Sequence, residues 1–251
     1  MEDLQKANFW KRISAAMFDG ILLGILVIGA ALLLSILFGY DTHADSLQAA
    51  YDRYAEQYEV SFDLAASDYE AMEAEERARY DAALAALSED GEVNYLYGML
   101  FNLTLLIVTF SVLMAFFLLE FVVPLLFGNG QTLGKKVFGI GVMRADGVKI
   151  SPVLLFARTV LGKYTVETMI PVLTVIMIYF GVVGFGGTLI ILALAAVQLL
   201  LLVLTAARTP IHDKLAQTVT VDIASQRIFD TPEDRLAWRA AAPAAEDAAQ
   251  N

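Results

Sequence analysis

The chain has 251 residues, 58% of them hydrophobic, and a mean hydropathy of +0.61, whereas soluble domains carry only about 45–50% apolar residues. With no cysteine and only two histidines, it lacks the residues for disulfides, cysteine nucleophiles and multi-histidine metal sites, and we expect neither a metal nor another cofactor. Its net charge of −11 argues against nucleic-acid binding, which requires a basic face.

Apolar segments long enough to cross a bilayer as helices, which takes about 20 residues, dominate the chain. The four segments are 13–39, 95–127, 152–182 and 187–207. The third carries charges in its first half, so 152–167 either lies at the membrane interface or forms part of the span. We therefore predict an all-α membrane protein with four hydrophobic helical segments.

The first segment contains an acidic residue, Asp19, within an apolar run that extends from Ile13 to Phe38. A carboxylate at the centre of a bilayer costs about 2.5–3.5 kcal/mol on insertion scales unless it is paired, protonated or facing a cavity. Arg12 precedes Asp19 by almost two helical turns, so both side chains share one face of the helix. An intramembrane acid is by default a candidate functional residue.

Lysine and arginine concentrate before the first segment, between the second and third, and after the fourth. These residues are Lys6, Lys11 and Arg12, then Lys135, Lys136, Arg144 and Lys149, and finally Arg208, Lys214 and Arg227. Short loops rich in these residues remain in the cytoplasm. We therefore expect both termini in the cytoplasm and the connection between the first two spans outside the cell membrane.

That outer connection is acidic and has helical character. Between Asp41 and Glu92 the chain has fifteen acidic residues against three arginines, which accounts for the whole negative excess. Tyrosines recur there at helical spacings. We predict two helices, about 44–60 and 66–88, that form an acidic extracytoplasmic hairpin. The hairpin is either a solvated spacer or a surface that binds a partner protein.

The connection after the second span is rich in glycine and β-prone residues. The apolar run 137–143, the Asp-Gly pair at 146–147 and the following 148–150 are typical of a hairpin. Residues 218–223 alternate like a third strand. We expect a small cytoplasmic β-element that joins these regions.

The glycine-rich run 130–136 superficially resembles a phosphate loop, but its spacing is wrong for one. We interpret it as a turn that places Lys135 and Lys136 near anionic lipid head groups. Beyond the strands, Thr231 and Pro232 predict the start of a helix, as its N-cap and first residue.

Charged residues of the predicted membrane zone are balanced. The positive ones are Arg12, Arg158 and Lys163, and the negative ones are Asp19, Glu120 and Glu167. From the helical rise, Asp19 and Glu120 lie at similar depths, about 13 and 10 Å from the cytoplasmic edge. Lys163 and Glu167 have the spacing of a helical ion pair. We predict one buried polar cluster in the inner half of the membrane, where Asp19 and Glu120 face each other.

This cluster has two interpretations. In the functional one, the carboxylates bind a proton or a monovalent cation. Desolvation favours protonation of a carboxylate, whereas nearby arginine and lysine side chains oppose it, so protonation can be linked to ion binding. The binding candidates are then Asp19, Glu120 and Glu167, and their charge partners are Arg12, Arg158, Lys163 and Asp213. In the structural one, the same residues form a static salt-bridge network. His212, beside Asp213, lacks the further partners that a metal site or catalytic dyad needs.

Three motifs stand out along the chain: RISAAMFD at 12–19, GQTLGKKVFGIGVMRADG at 130–147 and IHDKLA at 211–216. Together they resemble the RDD family of bacterial membrane proteins, named for an arginine and two aspartates. The resemblance places the arginine on Arg12 and the aspartates on Asp19 and Asp213. It implies a transmembrane domain of 9–41 and 94–224. The acidic insert 42–93 and a cytoplasmic tail, 225–251, lie outside it.

The resemblance also implies a location in the bacterial inner membrane, and some family members are linked to sodium/proton antiport. The first functional hypothesis is therefore cation/proton exchange through the charged cluster. The second is a non-transporting accessory or scaffold protein whose insert docks a partner membrane complex. Because four segments are few for a carrier, the first hypothesis favours a homo-oligomer. We expect no enzymatic activity, since common hydrolase and nucleotide-binding signatures are absent from the sequence.

Overall fold

The structure is a computed structural model that describes residues 7–204 and 210–249. It divides into two units, one of Met1–Ala30 with Ser111–Asn251 and one of Ala31–Phe110. Lys6 and Arg208 of the predicted cytoplasmic set, and the end of the fourth apolar segment, lie outside the described residues. The fold is mostly helical, with one small two-stranded sheet.

Within the described residues, three helices are long and apolar enough to span a membrane: α1 (Phe9–Leu37), α5 (Gly91–Phe127) and α7 (Pro152–Tyr179). A fourth apolar helix, α8 (Phe185–Leu204), is shorter. The described parts of all four predicted apolar segments therefore form helices, and three of these helices are long and apolar enough to span a membrane.

The surface of α1 is apolar and largely uncovered by the rest of the protein. Ile25 and Leu32 are more than half exposed, as are most other large apolar residues of this helix. Leaving apolar surface in water costs about 25 cal/mol per Å². A helix that is hydrophobic on all sides and not covered by protein is therefore stable in lipid.

Two of the long helices widen locally into π-helical turns, over Phe117–Val122 in α5 and Ala157–Met169 in α7. Such turns are rare and occur frequently at functional sites. They change the angle between successive side chains, so a 3.6-residue period no longer describes which residues share a face. Every charged residue that the sequence analysis singled out in α5 and α7 lies in one of these turns.

The unit of Ala31–Phe110 contains the acidic insert. Its helices are α2 (Tyr40–Tyr58), α3 (Ala66–Ala71) and α4 (Ala74–Glu89), so the insert has three helices where the sequence predicted two. The second predicted helix is interrupted at Met72, where the backbone is extended. Arg77 stabilises this break by donating to the carbonyl oxygens of Tyr69 and Glu70 at 3.1 and 2.7 Å.

The insert has a small core of its own, formed by Ala50, Leu87 and Val93. Tyr54 of α2 donates a hydrogen bond of 2.9 Å to Asp90, at the end of α4. Burial and polar contacts both join α2 to α4, so the insert is a folded element.

The other unit contains the short helices α6 (Leu133–Val137) and α9 (Ile211–Leu215), the strands β1 (Ile140–Arg144) and β2 (Thr218–Asp222), and the C-terminal helix α10 (Pro232–Ala249). The strands pair antiparallel, with Val142 opposite Thr220. The predicted link between these regions is thus confirmed. The predicted third strand is present as β2. The predicted strand at 148–150 is wrong, because this segment forms only isolated bridges. Val137 ends α6 rather than beginning a strand.

The predicted start of α10 is confirmed: Thr231 Oγ1 accepts a 3.1 Å hydrogen bond from the backbone of Asp234.

Candidate functional site

The most deeply buried charges are Arg158 of α7 and Asp213 of α9, each at most 2% exposed. Arg158 Nε and Nη2 both lie 2.8 Å from Asp213 Oδ1. Arg12 Nη2 of α1 is 3.9 Å from Asp213 Oδ2, and Thr218 Oγ1 donates to Oδ1 at 3.0 Å. Burial by itself would raise the pKa of Asp213, but Arg158 holds that pKa well below its usual value. The structure thus brings Asp213 together with Arg12 and Arg158, which the sequence analysis had grouped with it.

Asp19 binds the beginning of α6. Thr132 Oγ1 donates to one carboxylate oxygen of Asp19, and the Gly134 amide donates to the other at 2.7 Å. Glycine is required at 134, because a Cβ there would collide with the carbonyl oxygen of Ala15 and lie 2.9 Å from the Asp19 carboxylate. Contrary to the sequence prediction, the hydrogen-bond partners of Asp19 are in this loop and helix, not on α5.

Glu120 pairs with Lys163, whose Nζ lies 2.6 Å from Glu120 Oε1. Thr159 joins the same two π-helical turns by donating to the backbone carbonyl of Glu120 at 2.9 Å. The predicted pair between Lys163 and Glu167 is wrong, because the wide turn in α7 directs these side chains to different partners. Glu120 Oε2 is buried without a hydrogen-bond partner among the described residues.

Glu167 instead binds His212 of α9 twice. Its Oε2 lies 2.7 Å from His212 Nδ1, and its Oε1 accepts from the His212 backbone at 2.9 Å. Gly162 allows this approach, since a Cβ there would lie 2.6 Å from His212 Cβ. Burial and then Arg158 lower the pKa of His212, which Glu167 only partly opposes. The imidazole is therefore neutral near pH 7, and sequence reasoning missed this pair.

Sequence reasoning also misplaced Lys135. Only 8% of it is exposed, so the predicted position at lipid head groups is wrong for Lys135. Its Nζ has no hydrogen-bond partner within the part of the chain that the structure describes. The exposed lysine is Lys136, whose Nζ lies 3.7 Å from the centre of the Phe127 ring. Successive helical residues point about 100° apart, so two adjacent lysines cannot share one environment.

The surroundings of Lys135 explain its electrostatics. The pKa of its ammonium group is lowered to about 7, mainly by burial. Arg158 and Lys163 also lower this pKa, whereas Glu120 and Asp19 raise it. Two carboxylates and an ammonium group therefore interact in one small region. Asp19 and Glu120, which the sequence placed face to face, are thus both close enough to Lys135 to raise its pKa.

A cavity of about 360 Å³ connects these groups. It is lined by the polar residues Arg12, Asp19, Lys135, Arg158, Lys163, His212, Asp213 and Thr220, and by Phe9, Ile13, Ala15, Ala16, Ile140 and Pro210. Glu120 and Glu167 lie behind its wall and reach it through Lys163 and His212. Within the described residues, 7–204 and 210–249, no three His, Asp or Glu side chains are grouped so that they could bind a metal ion.

The comparison with known protein families agrees with the motifs on which this site is built. The family model described as the RDD family matches residues 6–217, a range that contains Arg12, Asp19 and Asp213. No curated protein and no solved structure matches the chain. Since the match extends over most of the sequence and includes every cavity residue except Thr220, the chain belongs to the RDD family.

Proposed function

We propose that this protein exchanges a monovalent cation for a proton across the bacterial inner membrane, at a site formed by Lys135, Asp19 and Glu120. The observation that carries the proposal is the buried Lys135 ammonium group, which interacts with both carboxylates and has no hydrogen-bond partner in the described chain. Its pKa of about 7 means that it gains and loses a proton under ordinary cellular conditions.

The exchange follows from charge balance. Protonated Lys135 supplies one positive charge to the two carboxylates. When its proton leaves, the site is one positive charge short, and a sodium or potassium ion from the cavity restores the balance. The oxygen atoms of Asp19 and Thr132, together with Glu120 Oε2, are ligands of the kind that such hard cations prefer. One proton is released for each cation bound.

The remaining charged residues have a supporting role in this proposal. Asp213 is occupied by Arg158 and Arg12, and Glu167 is occupied by His212. Their carboxylates are therefore less available to a cation than that of Asp19. They hold α7 and α9 together around the cavity, as buried ion pairs do when both partners are present.

Orientation and assembly belong to the same proposal. Both termini lie in the cytoplasm, α8 completes a set of four spans, and the insert lies outside. A carrier of this size acts as a homo-oligomer, since so few helices enclose only part of a transport path. No enzymatic step is involved.

Purified protein in liposomes tests the exchange. An imposed pH gradient should collapse when sodium or potassium is added, because each cation bound displaces a proton. Lys135→Met should abolish this response, and so should Lys135→Arg, because a guanidinium keeps its proton. Lys136→Met is the matched control and should behave like the wild type. Cation-dependent proton flux that persists in folded Lys135→Met would refute the proposal.

The second candidate, an accessory or scaffold protein, is favoured by the folded state of the insert. Its core of Ala50, Leu87 and Val93 and its exposed acidic residues form a persistent surface. Native purification in mild detergent, followed by mass spectrometry, should then recover a partner. Deleting 44–90 should release that partner without unfolding the remaining helices.

A further inference from the structure

We propose that the cavity binds an anionic amphiphile, a phosphate group on an apolar tail, with Lys135 and Arg12 holding the phosphate. This inference goes beyond cation/proton exchange and does not depend on it. It rests on the charge of the cavity, on the side chain of Lys135 and on the apolar part of the wall.

The cavity wall carries an excess of positive charge. Four cationic side chains line it, against the two carboxylates Asp19 and Asp213. Glu120, which pairs with Lys163, and Glu167, which pairs with His212, lie behind the wall and bring the whole cluster to neutrality, so the positive excess is confined to the side chains that line the cavity. His212 adds none when neutral. An anion inside the cavity would therefore meet more positive than negative side chains.

Lys135 supplies the binding group. Its side chain is more than nine-tenths buried and lines the cavity, yet its Nζ makes no hydrogen bond to any residue that the structure describes. A buried ammonium group without a partner is costly. A phosphate oxygen would satisfy it with a short, charge-assisted hydrogen bond, and the planar guanidinium of Arg12 on the same wall suits phosphate geometry.

The apolar part of the wall indicates what carries the phosphate. Phe9, Ile13 and Ala16 of α1 line the cavity, and Phe9 and Ala16 are also exposed on the outer surface of that helix. In a membrane this surface faces lipid, so a tail can continue from the cavity into the bilayer. A free phosphate ion would leave the apolar wall without a partner.

The experiment uses the full chain in an uncharged detergent at about pH 6, where a group with a pKa near 7 is protonated. The probes are dioctanoyl phosphatidic acid, dioctanoyl phosphatidylcholine and inorganic phosphate. Native mass spectrometry counts bound probe, and the melting temperature measures stabilisation. We expect retention of phosphatidic acid, about tenfold weaker in Lys135→Met, since one charge-assisted hydrogen bond corresponds to roughly that factor. Lys136→Met is the control and should bind like the wild type.

Three results would overturn the proposal: equal retention of phosphatidylcholine, equal stabilisation by inorganic phosphate, or unchanged phosphatidic acid binding by Lys135→Met. Ala16→Leu provides a second variant in case Lys135→Met does not fold, because it narrows the apolar side without altering a charge. It should lose phosphatidic acid binding, and unchanged binding would also overturn the proposal. Binding is measured without a pH gradient, so its failure is distinguishable from failure of the exchange.

Discussion

Arg158 Nε and Nη2 both lie 2.8 Å from a single carboxylate oxygen of Asp213, while Arg12 approaches the other oxygen at 3.9 Å. One aspartate thus joins α1, α7 and α9. Because Arg158 and Asp213 are almost fully buried, water cannot replace either partner. This relationship positions three sides of the cavity.

Removing the Asp213 charge should therefore destabilise the protein strongly. Asp213→Asn leaves Arg158 buried without its counterion, which costs about 3–5 kcal/mol. Thermal unfolding in detergent measures the effect. The control is Asp222→Asn, because Asp222 pairs at 2.6 Å with Lys11, which is 45% exposed. Exposed pairs contribute about 0–1 kcal/mol. Equal losses in the two variants would contradict the assignment.

Lys135 should make stability depend on pH in a specific direction. Its pKa falls from 10.5 to about 7 in the folded protein, so between these values the unfolded chain binds one more proton. Stability from this group therefore rises with pH, by about 1.4 kcal/mol per unit. The free energy of unfolding of Lys135→Met should lack this rise. The difference in stability between this variant and the wild type should therefore shift in favour of the wild type between about pH 7 and pH 10. Unfolding series at several pH values would measure it, with Lys136→Met expected to parallel the wild type.

Gly134 should be intolerant of a side chain. In Gly134→Ala the new Cβ meets the Ala15 carbonyl oxygen and the Asp19 carboxylate, so α6 must move away from α1. Overpacking of this kind costs about 1–3 kcal/mol. Gly20 lies on α1, and the Cβ added in Gly20→Ala meets nothing within 4 Å. This control substitution should therefore be neutral or slightly stabilising. A melting temperature for Gly134→Ala at or above that of Gly20→Ala would argue against the close approach.

Topology is testable because the chain has no cysteine. Ser61 and Ser225 are both exposed, and the distribution of lysine and arginine predicts that they lie on opposite sides of the membrane. In intact cells, an impermeant thiol reagent should label Ser61→Cys, whereas Ser225→Cys should react only after permeabilisation. The reverse pattern would show that the insert is cytoplasmic.

Much of the architecture was readable from local sequence. Long apolar runs form helices and enter lipid wherever they lie in the chain, which explains why the segments around Ile25 and Leu106 were recognised. The N-cap at Thr231 and the link between the strands also depend on a few neighbouring residues and were predicted correctly. The break at Met72 was missed, because the Arg77 contacts that stabilise it are not encoded in helical periodicity.

The sequence by itself determined the membrane class, the family and the set of charged residues, since these follow from composition, hydropathy and short motifs. Only the tertiary structure decided which charges meet. The π-helical turn in α7 directs Lys163 to Glu120 and Glu167 to His212. The contact of α6 with α1 at Gly134 accompanies the burial of Lys135 rather than Lys136. Such pairings join residues far apart in the chain, so they depend on how helices pack and not on spacing along one helix.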